Sequence, residues 1–296
     1  MTEHSGLKRR SSKMFNSLIN VLIVSILIVA TLLMRSKFVS NLGQKGYHCD
    51  DSSLAKPLLS SQTVSTKVLI SASFIVSLAL FCLVECSVLK MKKRPSLTSY
   101  SILKKSFIQL PSWLLPSTQL MGLLLIGSMA NSILTDIGKA VIGWPRPYFL
   151  AACQPNVTSQ ACSSSKMFIT DFSCTTNITQ EELEDSFMSF PSAHASFAAY
   201  VAFFLVLYLQ ARLANFEQTK LLRPFLQLLL ISVYWWSALT RVSDFVHHPA
   251  DVLAGLILGT LVALWTCSYL SDLIRDFDLS SLDPHTSKKS SKFSIT

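Results

Sequence analysis

Residues 67–89 read Lys67-Val-Leu-Ile-Ser-Ala-Ser-Phe-Ile-Val-Ser-Leu-Ala-Leu-Phe-Cys-Leu-Val-Glu-Cys-Ser-Val-Leu89. A bilayer core about 30 Å thick takes roughly 20 apolar helical residues to cross, and this run is long enough. Five other stretches qualify, near residues 15–35, 113–138, 193–213, 221–240 and 249–271. Periodicity adds little, because a helix surrounded by lipid is apolar nearly all round. The expected fold is all-α, an integral membrane bundle of six transmembrane helices over residues 15–275. A short tail, 1–14, precedes it, and a Ser- and Lys-rich tail, 276–296, expected to be disordered, follows.

Composition agrees with that solvent. Half of the 296 residues are hydrophobic and only 15% are charged, where a soluble domain carries about a quarter. The net charge of +9 could suggest nucleic acid, but the cations gather in short loops beside apolar runs, which is how membrane topology is set. Nucleic-acid binding is set aside on that ground. The third span is the least clean, being interrupted by Pro116, Asn131, Asp136 and Lys139. Polar groups at such depth face a protein interior or a water-filled cavity.

Lys8, Arg9, Arg10 and Lys13 before the first span resemble the start of a signal peptide. The apolar run is too long for one, and Leu33-Met34-Arg35 offers no small-residue cleavage site, so a retained signal anchor is expected. The basic N-terminal tail, the loop carrying Lys90, Lys92, Lys93, Arg94, Lys104 and Lys105, and the connection carrying Arg212, Lys220 and Arg223 fall on one side of a six-span chain. Lys and Arg favour the cytosol, so both termini are expected there. Loops 36–66, 140–192 and 241–248 then lie outside. They hold two glycosylation sequons, Asn156-Val-Thr and Asn177-Ile-Thr, whose modification requires that side.

The seven cysteines divide along the same line. Cys82, Cys86 and Cys267 lie in spans, whereas Cys49, Cys153, Cys162 and Cys174 lie in outer loops, where disulfides are allowed. Three pairings are open to these four. No Cys/His spacing suggests zinc, and no metal or other cofactor is expected. Transporters often show internal repeats, and none is visible. No glycine pair is read as a helix-packing face, and homo-oligomerisation is left open.

Three segments at the outer ends of spans carry the chemistry. They are Lys139-Ala-Val-Ile-Gly-Trp-Pro-Arg146-Pro147, Ser189-Phe-Pro-Ser192-Ala193-His194, and Thr240-Arg241-Val-Ser-Asp-Phe-Val-His247-His248-Pro249-Ala-Asp251. A six-helix bundle can bring them together at one depth. Lys139, Arg146 and Arg241 supply permanent cations, Ser192 a hydroxyl, and the start of span four free backbone N–H groups. Arginine forks and helix N-termini suit phosphate oxygens, and phosphoryl transfer needs little beyond positioning and charge stabilisation. Pro249 suits the first turn of span six, which puts Asp251 where it can reach back toward His247. An imidazole held through one nitrogen presents the other as a nucleophile, and His194 is then the general acid and base. The structural alternative is that Lys139 and Arg241 are snorkelling anchors and that His248 caps span six. Anchors alone, however, do not require two histidines and an aspartate at fixed offsets.

In that order, K-x6-R-P, P-S-x-H and R-x5-H-x3-D resemble the three signature motifs of the type 2 phosphatidic acid phosphatase superfamily. The six-span plan, the sequon-bearing loop, Leu207-Tyr-Leu-Gln-Ala-Arg212 and His247-His-Pro-Ala-Asp-Val-Leu-Ala-Gly255 resemble its lipid phosphate phosphatases. That resemblance implies a phosphohistidine at His247 oriented by Asp251, with His194 as acid and base. Phosphate would be bound by Lys139, Arg146, Ser192, the Ala193 amide and Arg241. It further implies metal-independent hydrolysis of lipid phosphate monoesters such as phosphatidate, lysophosphatidate, ceramide phosphate or sphingosine phosphate. The expected location is the plasma membrane, with ER or Golgi as the alternative. Two positions depart from the pattern. Ala193 stands where Gly is usual, and Thr240 where Ser is usual. If the turn at 193 needed positive φ, Ala there would lower activity. That possibility gives the alternative of a silent relative, acting as a scaffold or lipid-binding protein, its only footing.

Overall fold

The computed structural model describes residues 45–49, 51–92, 97–103, 106–157, 167–214 and 216–280, together with 25–26, 28–31 and 33. Most of the expected first span, the N-terminal tail, residues 281–296 and Cys162 lie outside the described residues. Five long helices carry the architecture: α1 (Thr66–Met91), α2 (Leu114–Ile142), α5 (Ala193–Leu213), α6 (Leu222–Ser243) and α7 (Pro249–Ser280). All five are long and apolar enough to cross a membrane. Two short helices, α3 (Phe149–Cys153) and α4 (Gln180–Ser186), lie in the connection between α2 and α5.

Local chemistry sets the helix ends. The Val68 N–H donates to the Ser65 hydroxyl (3.3 Å), starting α1, and the Ala195 N–H does the same to Ser192 (3.3 Å), starting α5. Each is the side-chain cap that satisfies one of the orphan N–H groups of a helix start. Helix α2 ends where Gly143 takes a left-handed conformation (φ 60°) and its N–H returns to the Lys139 carbonyl, a stop that glycine adopts without strain. The third expected span is thus about a turn longer than its apolar run, and Lys139 lies inside its last turn.

Helix α5 is the axis of the bundle, with 72% of its spanning window buried against at most 39% in the other four. It packs chiefly against α7, and the reason is a pair of glycines the sequence reading passed over. Gly255 and Gly259 lie one turn apart, and a Cβ on them would sit 2.5 Å from the Ser192 carbonyl oxygen and 2.0 Å from that of Ser196. This is the small-xxx-small contact that lets membrane helices approach backbone to backbone. At the far end of α5, Arg212 is buried and clasps Glu85 of α1 through Nε (2.8 Å) and Nη2 (2.6 Å), while the Tyr208 hydroxyl donates to the same carboxylate. Arg212 is therefore a structural ion pair as well as a contributor to loop charge. Outward faces of α1, α6 and α7 stay apolar, with Ile75, Leu83, Leu228, Trp236, Leu253 and Leu264 all exposed, a surface that suits hydrocarbon.

The segments between helices are more ordered than their sequences suggest. Strands β2 (Leu97–Leu103) and β3 (Ser106–Pro111) form an antiparallel hairpin in the α1–α2 connection, where only a basic loop was expected. On the opposite side, β1 (Tyr47–His48) pairs with β5 (Phe168–Ile169), and β4 (Pro155–Asn156) with β6 (Ser173–Cys174). A disulfide joins Cys153 to Cys174, and Cys49 is also disulfide-bonded. Tyr47, Leu54, Phe149, Cys153, Ile169 and Phe187 bury a second, smaller core there. That core is the platform that carries Arg146.

Candidate active site

The three segments singled out in the sequence converge on one cavity of about 570 Å³, lined by Lys139, Arg146, Ala193, His194, Arg241 and His247 among others. Lys139 enters from the last turn of α2, His194 from the first turn of α5, Arg241 from the last turn of α6, and His247 from the five-residue link before α7.

The histidine of that link has a defined tautomer. His247 is 5% exposed, and its Nδ1 lies 2.8 Å from the Ser189 carbonyl oxygen. A carbonyl only accepts, so Nδ1 carries the proton and Nε2 keeps its lone pair. Burial pushes the imidazole down to about 4, with the Arg146 and Lys139 cations adding to the shift and Asp251 opposing it. The ring is therefore neutral at physiological pH, which is the nucleophilic form.

Asp251 lies in the first turn of α7, as expected from Pro249, but its contact with His247 is longer than a hydrogen bond, at 3.8 Å. Its Oδ2 instead accepts from the Ser189 hydroxyl (2.6 Å) and the His248 N–H (2.8 Å), with His248 Nδ1 at 3.2 Å. The carboxylate thereby fixes Ser189, and Ser189 presents its carbonyl to His247. Ser189 was quoted in the motif but given no role. His248 is packed in place by a near-parallel stack on Trp144 (centroids 5.3 Å, 21°), and its carbonyl takes the first N–H groups of α7, consistent with a capping role.

His194 lies two residues past the helix cap and is buried. Its Nε2 is 3.0 Å from the Ser237 hydroxyl of α6, and its Nδ1 has no hydrogen-bond partner among the described residues. Ser192 caps α5, and its own N–H donates to the Asp251 carbonyl (3.0 Å), tying the motif to α7. Ala193 is the first residue of α5, and the only non-glycine residues with positive φ among those described are Gln154 and Phe245. The local backbone is therefore one that alanine adopts without strain, and positive φ is not required at 193. Thr240 uses its hydroxyl as a serine would, donating to the Ser237 carbonyl (2.7 Å) and accepting from Arg241.

The two arginines are held by groups that no motif names. Asp185, at the end of α4, accepts from Arg146 Nε through its carbonyl (3.0 Å) and from Nη2 through its carboxylate (2.9 Å). Arg241 donates to Gln62 (2.8 Å), the Val64 carbonyl (2.7 Å) and Asp244 (2.9 Å). Asp244, taken in the sequence as a plain loop residue, is 5% exposed and also accepts from the Thr63 N–H and hydroxyl. Its position three residues after Arg241 is the spacing of a helical ion pair, a signal that was available. Asp185 and Gln62 carried none, because their contacts cross 39 and 179 residues.

The PAP2 superfamily profile matches residues 119–275. Among curated relatives, the Drosophila melanogaster protein named "Putative phosphatidate phosphatase" is 34% identical over 239 residues, which cover 78% of this chain and 62% of that protein. "Phospholipid phosphatase 1" of Mus musculus is 35% identical over 249 residues, 82% of each chain. "Phospholipid phosphatase 2" of Mus musculus is 31% identical over 232 residues, 78% of each. The chain thus spans less than two thirds of the fly relative and about four fifths of the mouse ones. No solved structure matches it.

Proposed function

Because this chain belongs to the PAP2 superfamily, we propose that it is a multi-pass membrane lipid phosphatase that hydrolyses lipid phosphate monoesters through a phosphohistidine at His247. The observation that carries this is the juxtaposition of a neutral, Nδ1-anchored His247 with Lys139, Arg146, His194 and Arg241 around one cavity.

Chemically, the substrate phosphate sits among the three cations and the N-terminal amides of α5, where charge on its equatorial oxygens is stabilised. His247 Nε2 attacks phosphorus as the ester P–O bond breaks, and His194 gives its proton to the departing alkoxide. Water then attacks the phosphohistidine, surrendering a proton to His194, and the P–N bond breaks to release phosphate and restore His247. The charge stabilisation these residues supply is sufficient without a metal. Substrates of this class include phosphatidate, lysophosphatidate, ceramide phosphate and sphingosine phosphate. The cation-rich loops support a site on the non-cytosolic face, where the exposed Asn156 and Asn177 would receive glycans.

Phosphate release from a short-chain phosphatidate by purified protein in EDTA tests the proposal. Activity is expected in the wild type and none in His247→Ala. A brief pulse with labelled substrate should leave an acid-labile, base-stable phosphoenzyme in the wild type alone. Equal release by both proteins refutes it, and label recovered in a second lipid makes the protein a transferase.

A further inference from the structure

The cavity is larger than a phosphate requires. Its wall on α2 runs from Lys139 down to Ser128, about 16 Å at 1.5 Å per residue, and its volume falls in the range that houses whole small ligands. Below the cations the two sides differ in character. Leu69, Ile70 and Phe74 of α1 and Phe197 of α5 make an apolar side, and Asn131 belongs to a polar strip on α2.

Asn131 is 2% exposed, yet it lines the cavity. Its Oδ1 accepts from the Ser196 hydroxyl at 2.6 Å, which fixes the amide plane. No protein group among the described residues accepts from its Nδ2. The amide is fixed on the cavity wall, so its donor is placed to serve a molecule that enters the cavity. Depth says what. Ser196 lies two residues past His194, about 3 Å further along α5, so the amide lies deeper in the cavity than that histidine.

Resting on the phosphatase proposal above, we infer that Asn131 is a specificity-determining residue. It donates to an oxygen of the substrate's linker, the hydroxyl, ester or amide borne a few bonds beyond the phosphate ester, while the chain leaves along the apolar side. A lipid phosphate with such an oxygen gains this bond, and a plain alkyl phosphate does not.

The test compares wild type, Asn131→Asp and Asn131→Ala on two monoesters of equal chain length in micelles of fixed composition. One is an acyl glycerol phosphate and the other an n-alkyl phosphate. Asn131→Asp keeps the acceptor for Ser196 and removes the donor. The readout is the ratio of kcat/KM for the two esters, from which general damage to folding or chemistry divides out. Both variants are expected to lower that ratio by about three- to tenfold, the worth of one neutral hydrogen bond. A ratio unchanged in Asn131→Asp overturns the inference and leaves Asn131 as a link between α2 and α5. A wild type that cleaves both esters equally well also overturns it, without touching the phosphatase proposal. Failure to cleave either ester overturns both.

Discussion

Replacing Gly259 by alanine should disable the enzyme from a position that does not line the catalytic cavity. On helix propensity alone the change favours the helix by about 1 kcal/mol, and a gain in stability would be expected. Packing reverses the sign. The new Cβ would sit 2.0 Å from the Ser196 carbonyl oxygen and 2.9 Å from the Tyr200 nitrogen, both backbone atoms of α5 that cannot swing aside. Reaching ordinary contact near 3.5 Å requires α7 to retreat by about 1.5 Å. Overpacking of this kind costs about 1–3 kcal/mol, which outweighs the propensity gain. The same retreat pulls Asp251 from Ser189 (2.6 Å) and from the Ser192 N–H (3.0 Å), so both histidine-bearing segments lose their tie. A misplacement of about 1 Å at a catalytic centre can cost 10²-fold in rate. The assay is kcat on a short-chain phosphatidate and thermal unfolding in detergent, with Gly122→Ala as control, since nothing lies within 4 Å of a Cβ there. A roughly hundredfold loss of kcat and a lower Tm are expected for Gly259→Ala and neither for Gly122→Ala. Wild-type kcat and Tm in Gly259→Ala would show that α5 and α7 do not meet as described.

Other perturbations follow from the same contacts. His247→Ala should abolish turnover, Asp251→Asn should reduce it less, and Ser189→Ala least, since it loses one charge-assisted bond of about 1.5–3 kcal/mol but keeps the carbonyl that holds His247; a different order in kcat would refute the relay through Ser189. The acid limb of kcat/KM should lie near pH 4 once the substrate's own ionisation is divided out, because burial holds His247 at about 4 and only its unprotonated form attacks. A limb at the 6.5 of a solvated imidazole would mean a wetter site. Arg212→Ala strands the Glu85 carboxylate, 1% exposed, and should cost about 3–5 kcal/mol in detergent unfolding, much of it regained when Glu85 is also made apolar. An unchanged Tm in the single variant would remove that pair from the fold's support.

Much of the membrane architecture was legible because its cause is local. Whether a segment can cross depends on the apolar length of that segment alone, and three of the five observed helices match their runs to within three residues at each end, while α7 continues nine residues past its run. The third ran about a turn longer because Asp136 and Lys139 break the apolar run without breaking the helix, which stops only at Gly143. The hairpin at 97–111 was missed, as was the Gly255–Gly259 contact, although G-x-x-x-G within an apolar run is the sequence signal of a helix-packing face.

For the site, the titrating and charged residues could be named because their types suit phosphoryl transfer and their spacing and order resemble the superfamily's three motifs. Sequence alone therefore determined the membrane class, the three motifs and the candidate site residues that line one cavity. Only the tertiary structure decided how those residues are held. It set Asp251 closer to Ser189 (2.6 Å) than to His247 (3.8 Å), supplied Asp185 and Gln62 to the arginines, and put Ala193 in ordinary helical backbone. The physical reason is distance along the chain. A motif records what a few neighbouring residues can do, whereas orientation comes from hydrogen bonds that cross 39 to 179 residues, and no spacing rule reaches that far.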